Sequence, residues 1–270
     1  KMIYDCFSYW DEDLLLDLRL NILDKIVDRF VIVEGDKTWQ NNPKKLKFDI
    51  NKFQKFKDKI VYIPVTDLPD GEDPYLRENH QRNSISRGIK DANENDIILI
   101  SDLDEIPCPK AIKNFDHKMR YATFKQMHFY YKFNLQSKNH PYWHGTRVCI
   151  KKYLKSPQWL RDLKFKKRPF WRLDKFRLNN IISDGGWHFC NLKTPQDLLY
   201  KYQNLCETND PIHFKERIDP KYLQIDEIQK KIISGEDIIG RKDNFEKIEL
   251  DYSFPEYLIK NKENYSDWII

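Results

Sequence analysis

The sequence predicts an α/β fold, a mostly parallel sheet flanked by helices with an antiparallel extension beyond it. Three observations carry that expectation. Apolar runs of strand length alternate with helical patterns from Ile3 to Ile100, the order that builds parallel strands with right-handed crossovers. The run Ile97–Ile100 is continuously apolar, as in a strand buried on both faces, and is followed by Asp102, Asp104 and Glu105 before Pro107 stops the ladder. Past Pro109 the pattern changes to aromatic and polar alternation, which suits antiparallel strands with one open face.

Taken in order, Ile3–Tyr9 is the first strand. Asp11, Glu12 and Asp13 then supply acids for the N-terminus of a helix whose apolar positions are Leu14, Leu15, Leu18, Ile22 and Ile26. Arg19 reads as part of that helix's exposed polar face rather than as an internal partner for a carboxylate. Phe30–Glu34 is a second buried strand, followed by turn chemistry at Gly35-Asp36-Lys37-Thr38 and a basic loop with Lys44, Lys45 and Lys47. A Lys-rich helix leads to a third strand, Ile60–Val65, and Tyr75–Ala92 forms a helix on which Asn79 and Arg82 share a face. The fourth strand is the run before the acids. This order is the layout of a nucleotide-binding α/β half.

Tyr121–Phe133 and Arg147–Lys151 are further strand candidates, and residues 151–178 hold a basic, aromatic stretch with Trp159, Arg161, Arg168, Phe170, Trp171 and Arg172. Such interleaving can mark a nucleic-acid surface, but no nucleic-acid motif accompanies it and no such partner is expected. In Asp184-Gly185-Gly186-Trp187-His188-Phe189 the paired glycines allow close backbone approach to a ligand, or simply make a hairpin. Pro195–Cys206 is a helix capped by Thr194, and Tyr222–Ile233 is helical as well. The expected organisation is a catalytic domain over 1–210, with a nucleotide-binding half to about 107 and an acceptor half after it, and an extension over 211–270 packed on the same domain.

Of 270 residues, 33% are charged and 14% aromatic, too aromatic for disorder, and 47 Lys+Arg against 42 Asp+Glu suits an anionic small molecule. Cys6, Cys108, Cys149, Cys190 and Cys206 include no Cys-x-x-Cys pair, so neither a disulfide framework nor a zinc knuckle is indicated and a reducing compartment is expected. No apolar run approaches the roughly 18 residues of a membrane span and no signal peptide is read, which gives a cytoplasmic expectation; a trimmed anchor would leave the same sequence.

Asp102 and Asp104 are two apart, so an extended chain points both to one side, where like charges raise each other's pKa unless a cation lies between them. Mg²⁺ or Mn²⁺ meets that need with one or two carboxylates plus substrate phosphate oxygens, and open α/β sheets bind ligands beyond the carboxyl ends of their strands. Acids locked in ion pairs with arginines would leave no room for that cation.

On these residues the chain resembles glycosyltransferase family 17 over about residues 3–207. The ordered pieces are Ile3-Tyr4-Asp5-Cys6-Phe7; Asp17-Leu18-Arg19-Leu20; Val27 to Glu34; Thr38 with Pro43-Lys44; Glu78-Asn79 with Arg82-Asn83; Ser101 to Pro107; and Gly185 to Phe189. The resemblance implies a GT-A fold, with a Rossmann-like half whose Asp-x-Asp element holds a divalent metal on a donor's diphosphate. It also implies inverting transfer of a sugar, typically GlcNAc from UDP-GlcNAc, to a glycan acceptor. Asn41 departs from it, standing where a glycine is expected after the second strand.

On that footing Asp104 and Asp102 are the expected metal residues, Asp104 as a ligand and Asp102 through water or by holding the ribose, with His188 as a third ligand. Glu34 and Thr38 are expected at the base or ribose, Lys44, Asn79 and Arg82 along the donor, and Trp143, Trp171 and Trp187 as flat surfaces for sugar rings. A carboxylate must accept the acceptor hydroxyl's proton; Asp184 is the first choice, with Glu105 and Glu207 as alternatives. Two other classes stay open: a haloacid-dehalogenase-type phosphatase, whose Asp-x-Asp normally continues to Thr or Val where this chain has Ile106, and a non-catalytic carbohydrate-binding protein.

Overall fold

Continuous apolar runs make the first four strands: β1 (Ile3–Ser8), β2 (Arg29–Gly35), β3 (Ile60–Val65) and β4 (Ile97–Asp102). They pair in parallel in the order β3-β2-β1-β4. A computed structural model describes residues 1–165, 180–209 and 218–270 of the chain. Side-chain alternation splits this half into two cores, as period two requires: Phe7, Phe30, Ile32 and Leu99 pack on one face, and Cys6, Val31, Val33, Ile98 and Ile100 on the other.

The other strands are β5 (Glu105–Pro107), β6 (Tyr121–Tyr130), β7 (Leu135–Ser137), β8 (Tyr142–Ile150), β9 (Ile181–Ile182), β10 (Gly186–Cys190) and β11 (Phe245–Lys247). β8 runs antiparallel between β4 and β6, β9 and β10 lie parallel to β6, and β5 pairs antiparallel with β10. The sheet is therefore mixed. Parallel order holds for the first four strands and ends where β8 enters beside β4. The expected open face of β6 is largely covered, since Phe254 packs on Phe129 at 5.2 Å and Tyr265 on Phe133 at 5.6 Å.

Helix α1 (Asp13–Leu23) buries Leu15, Leu16, Leu18, Leu20 and Leu23. The helix expected over Tyr75–Ala92 is two, α2 (Pro74–Asn83) and α3 (Ile85–Gly88), broken at Ser84, whose hydroxyl donates to the His80 carbonyl at 2.9 Å. No full helix precedes β3; only a 3₁₀ stretch, Ile50–Phe56, forms there. The reason lies at the end of β2, where buried Glu34 accepts from Lys44 Nζ at 2.6 Å, the amides of Lys47 and Phe48, and the Tyr62 hydroxyl. Those bonds hold the Lys-rich segment extended across the strand end.

Later helices are α4 (Pro109–Lys113), α5 (Pro157–Asp162), α6 (Pro195–Asn204), α7 (Ile225–Ser234) and α8 (Glu256–Lys260). Thr194 caps α6 by accepting from the Asp197 amide, and Pro195 takes the first turn, as the sequence indicated. Leu198, Tyr202 and Ile228 join α6 and α7 to Tyr131 and Phe245, while Leu258 of α8 joins the core around α1. No helix among the described residues is long and apolar enough to cross a membrane.

Candidate active site

The acids that follow β4 are shaped from below by a side chain of α1. Arg19 is fully buried, so its expected place on an exposed face is corrected: Asp5 of β1 binds it at 2.6 Å through Nη2 and 2.8 Å through Nε. Its remaining N–H groups donate to the carbonyls of Asp102 at 3.2 Å, Leu103 at 3.0 Å and Glu105 at 2.9 Å, and to Ser101 Oγ at 2.6 Å. One rigid fork therefore donates to three backbone oxygens of the turn, with Thr146 Oγ1 also donating to the Glu105 carbonyl at 3.0 Å. Side chains of Asp102, Asp104 and Glu105 project from that turn.

They enter a cleft at the carboxyl ends of β1 and β4, the point where strand order reverses. Ser8, Tyr9 and Trp10 line it from β1, Glu78, Gln81 and Arg82 from α2, and Trp143, His188, Lys193 and Lys201 from the later half. Trp39 completes an aromatic corner, with its ring 5.9 Å from Trp10, while Tyr200 lies 6.1 Å from Trp10 on the other side.

Asp102 is half exposed but not free. Arg82 Nη2 lies 3.2 Å from one carboxylate oxygen and Arg161 Nη2 2.9 Å from the other. Burial alone would raise its pKa; Arg161 and Arg82 outweigh that and hold the carboxyl well below the usual range. Both Asp102 oxygens thus already face guanidinium groups. Glu105 is more enclosed still: it accepts from Arg161 at 2.8 Å, from the Asp102 amide at 3.0 Å and from Trp143 Nε1 at 2.8 Å. A carboxylate so saturated fixes its neighbours and is poorly placed to take a proton.

Asp104 differs. Burial would raise its pKa, but His188 outweighs it and lowers the value, and no arginine contacts it among the described residues. His188 Nε2 stands 3.4 Å from Asp104 Oδ1, and ligand atoms of Asp104, His188 and Cys190 all lie within 4.8 Å of one another. The His188 ring stacks parallel on His128 at 4.7 Å and lies 5.4 Å from the Trp143 ring, with its Nδ1 buried and unpartnered. A carboxylate beside an imidazole suits a borderline divalent ion such as Mn²⁺ better than Mg²⁺, so Asp104 and His188 are residues that could hold such an ion.

Other expectations are placed elsewhere. Glu34 and Lys44 spend their charges on each other at 2.6 Å, and buried Thr38 accepts from the Asn42 amide in the following turn, so none of the three is open to a donor. Asn41 has φ +65°, the left-handed conformation that explains why a glycine was expected and why asparagine serves. Trp187 is buried in the core with Nε1 on the Ser253 carbonyl at 2.8 Å; it faces away from His188 because strand side chains alternate. Asp184 is exposed before β10 and Asn79 lies beside the cleft face of α2; neither lines the cleft. Glu207 is half-buried beyond Leu205, which does line it. Trp171, with Arg168, Phe170 and Arg172, lies outside the described residues.

Gly186 has φ +124°, and a Cβ there would stand 2.1 Å from the Ile106 carbonyl oxygen. The close approach foreseen for the paired glycines is to other strands, Gly186 to β5 and Gly185 to Phe124 and Lys125 of β6, not to a ligand. Sequence reasoning did not place Trp10, Trp39, Lys193 or Lys201 at the site, and Arg161 stood out only as part of the basic, aromatic stretch over 151–178. An aromatic directly after a first buried strand was the available signal for Trp10.

A model of glycosyltransferase family 17 matches residues 1–266. The beta-1,4-mannosyl-glycoprotein 4-beta-N-acetylglucosaminyltransferases of Homo sapiens, Rattus norvegicus and Mus musculus are each 24% identical over 69% of this chain. The match covers 40% of the human protein and 39% of the two rodent proteins, so the chain spans about two fifths of the length of these curated relatives.

Proposed function

This chain belongs to glycosyltransferase family 17, and we propose that it is a metal-dependent, inverting transferase of the GT-A type that moves GlcNAc from UDP-GlcNAc to a hydroxyl of a glycan. The observation that carries this reading is the acid turn after β4, open to a cleft at the strand-order reversal, in a chain matched by the family along nearly its whole length. The relatives' name supplies the GlcNAc and the glycan acceptor. The parallel strands β1 to β4 support a nucleotide-binding half.

Asp104 and His188 would hold Mn²⁺ or Mg²⁺, which when bound supplies Lewis-acid stabilisation of the departing diphosphate. Arg82 and Arg161 hold Asp102 in place, whereas Asp104 faces the His188 imidazole and, among the described residues, no arginine. Trp143, 42% exposed and pinned at its indole N–H by Glu105, offers a flat face for a sugar ring. A sugar hydroxyl needs a carboxylate to accept its proton as the bond forms. With Asp184 outside the cleft and Glu105 saturated, that task falls to Glu78, which lines the cleft, or to Glu207, two residues beyond the lining residue Leu205.

The test is UDP release from UDP-GlcNAc in the presence of glycan acceptors, with Mn²⁺ and with chelator. We expect metal-dependent release by the wild type and none by Asp104→Ala. Full activity of a folded Asp104→Ala protein in chelator would overturn the metal role, and turnover of an aryl phosphate instead of the nucleotide sugar would replace the reading with a phosphatase.

A further inference from the structure

Charges in the cleft are unequally engaged. Arg82 faces Glu78 and Asp102, Arg161 faces Asp102 and Glu105, and Lys193 faces Asp11 and Glu12. Lys201 is the exception: among the described residues its hydrogen bond runs to a neutral amide, Asn191 Oδ1, at 2.8 Å, and no carboxylate lies within ion-pair distance. That amide is itself fixed. Asn191 is buried with φ +59°, and its Nδ2 donates to the Tyr202 hydroxyl at 2.9 Å. The ammonium is thus held at a set point in the cleft wall by a partner that does not neutralise it. Asn204, Leu205 and the Trp10–Trp39 corner line the same cleft.

Burial would lower the Lys201 pKa, but Cys190, Asp104, Glu12 and Asp102 outweigh it and raise the value. An ammonium kept charged by carboxylates that, among the described residues, do not bond it directly is arranged for an anion that arrives from outside. We infer that Lys201 is the diphosphate-binding cation of this site, holding the nucleoside diphosphate of the donor and remaining on it as the leaving group gains charge. The inference rests on the transferase reading and adds to it a residue on α6, outside the parallel half and outside the acid turn. Lys201 acts as a point charge with rotatable donors, which suits a phosphate whose orientation shifts as the sugar departs.

Calorimetric titration of wild type, Lys201→Gln and Lys201→Arg with UDP, inorganic pyrophosphate and uridine tests it, with thermal melting as a control on folding. Loss of a charge-assisted hydrogen bond should weaken UDP and pyrophosphate by about tenfold to a hundredfold in Lys201→Gln. Uridine binding should stay unchanged, and Lys201→Arg should recover most of the loss. Unchanged UDP affinity in Lys201→Gln, or an equal loss for uridine, would overturn the inference and leave the transferase reading standing. A wild type that binds neither UDP nor pyrophosphate, with or without Mn²⁺, would remove both.

Discussion

In the parallel half of the sheet, buried charge is answered from within: Arg19 by Asp5 at 2.6 Å and Lys44 by Glu34 at 2.6 Å, all four side chains nearly or fully inaccessible. In the later half the groups that reach the cleft are left with capacity: Trp143 exposes its face, His188 turns Nε2 toward Asp104 at 3.4 Å, and Lys201 has a neutral hydrogen-bond partner. The contrast teaches a division of labour. β1 to β4 and α1 fix where the acid turn stands, and β8, β10 and α6 supply most of what can still bind.

Breaking the scaffold side should have the largest effect. Arg19→Leu strands the Asp5 carboxylate in the core and removes the guanidinium donors to the Asp102, Leu103 and Glu105 carbonyls, and should cost about 3–5 kcal/mol in urea unfolding. Asp5→Leu combined with Arg19→Leu should recover part of that loss; no recovery would show that the turn carbonyls, not the pair, dominate. On the binding side, Asp104→Ala should lower transfer by about 10²–10³-fold while the melting temperature stays near wild type, the reverse of the Arg19 result. Steady-state rates and thermal melts on the same samples separate the two. Trp143→Ala should act more weakly, raising KM severalfold through lost ring contact worth about 0.5–1.5 kcal/mol. Trp143→Phe should restore most of it.

The smallest effect concerns pH. The Asp102 carboxyl sits below its unfolded value of about 3.9, since Arg161 and Arg82 outweigh the rise that burial would cause. Its contribution to stability is complete above that value and is lost as pH falls through the depressed native one. Asp102→Asn should therefore lower stability modestly across the neutral range and flatten the acid limb of the stability curve below about pH 4, so that the two proteins converge at low pH, as followed by circular dichroism.

The scaffold was far more legible than the site. Ile97–Ile100 and Phe30–Glu34 announce buried strands because a parallel sheet covers both faces, and Thr194-Pro195 announces a helix start through local chemistry. The mixed order of the later strands left no such mark, since β8 enters the sheet through pairing across distant sequence. Arg19 looked like a surface residue because helical pattern reports only that a polar group is present, not that Asp5 waits across the sheet. Lys201 was hidden for the same reason within the polar face of α6. Glu34 was recognised as special, but a carboxylate at a strand end reads alike whether it meets a ribose or Lys44.

Gly186 has a consequence that reaches past its own turn. A methyl group there would press on the Ile106 carbonyl oxygen, and β10 would have to ride higher on β5. His188 shares that strand and that face, whereas Asp104 belongs to a turn bolted to α1. An atom that is missing at one position thus works as a spacer gauge for a gap at another, and drift in this strand would be felt first as a widened interval between an imidazole and a carboxylate.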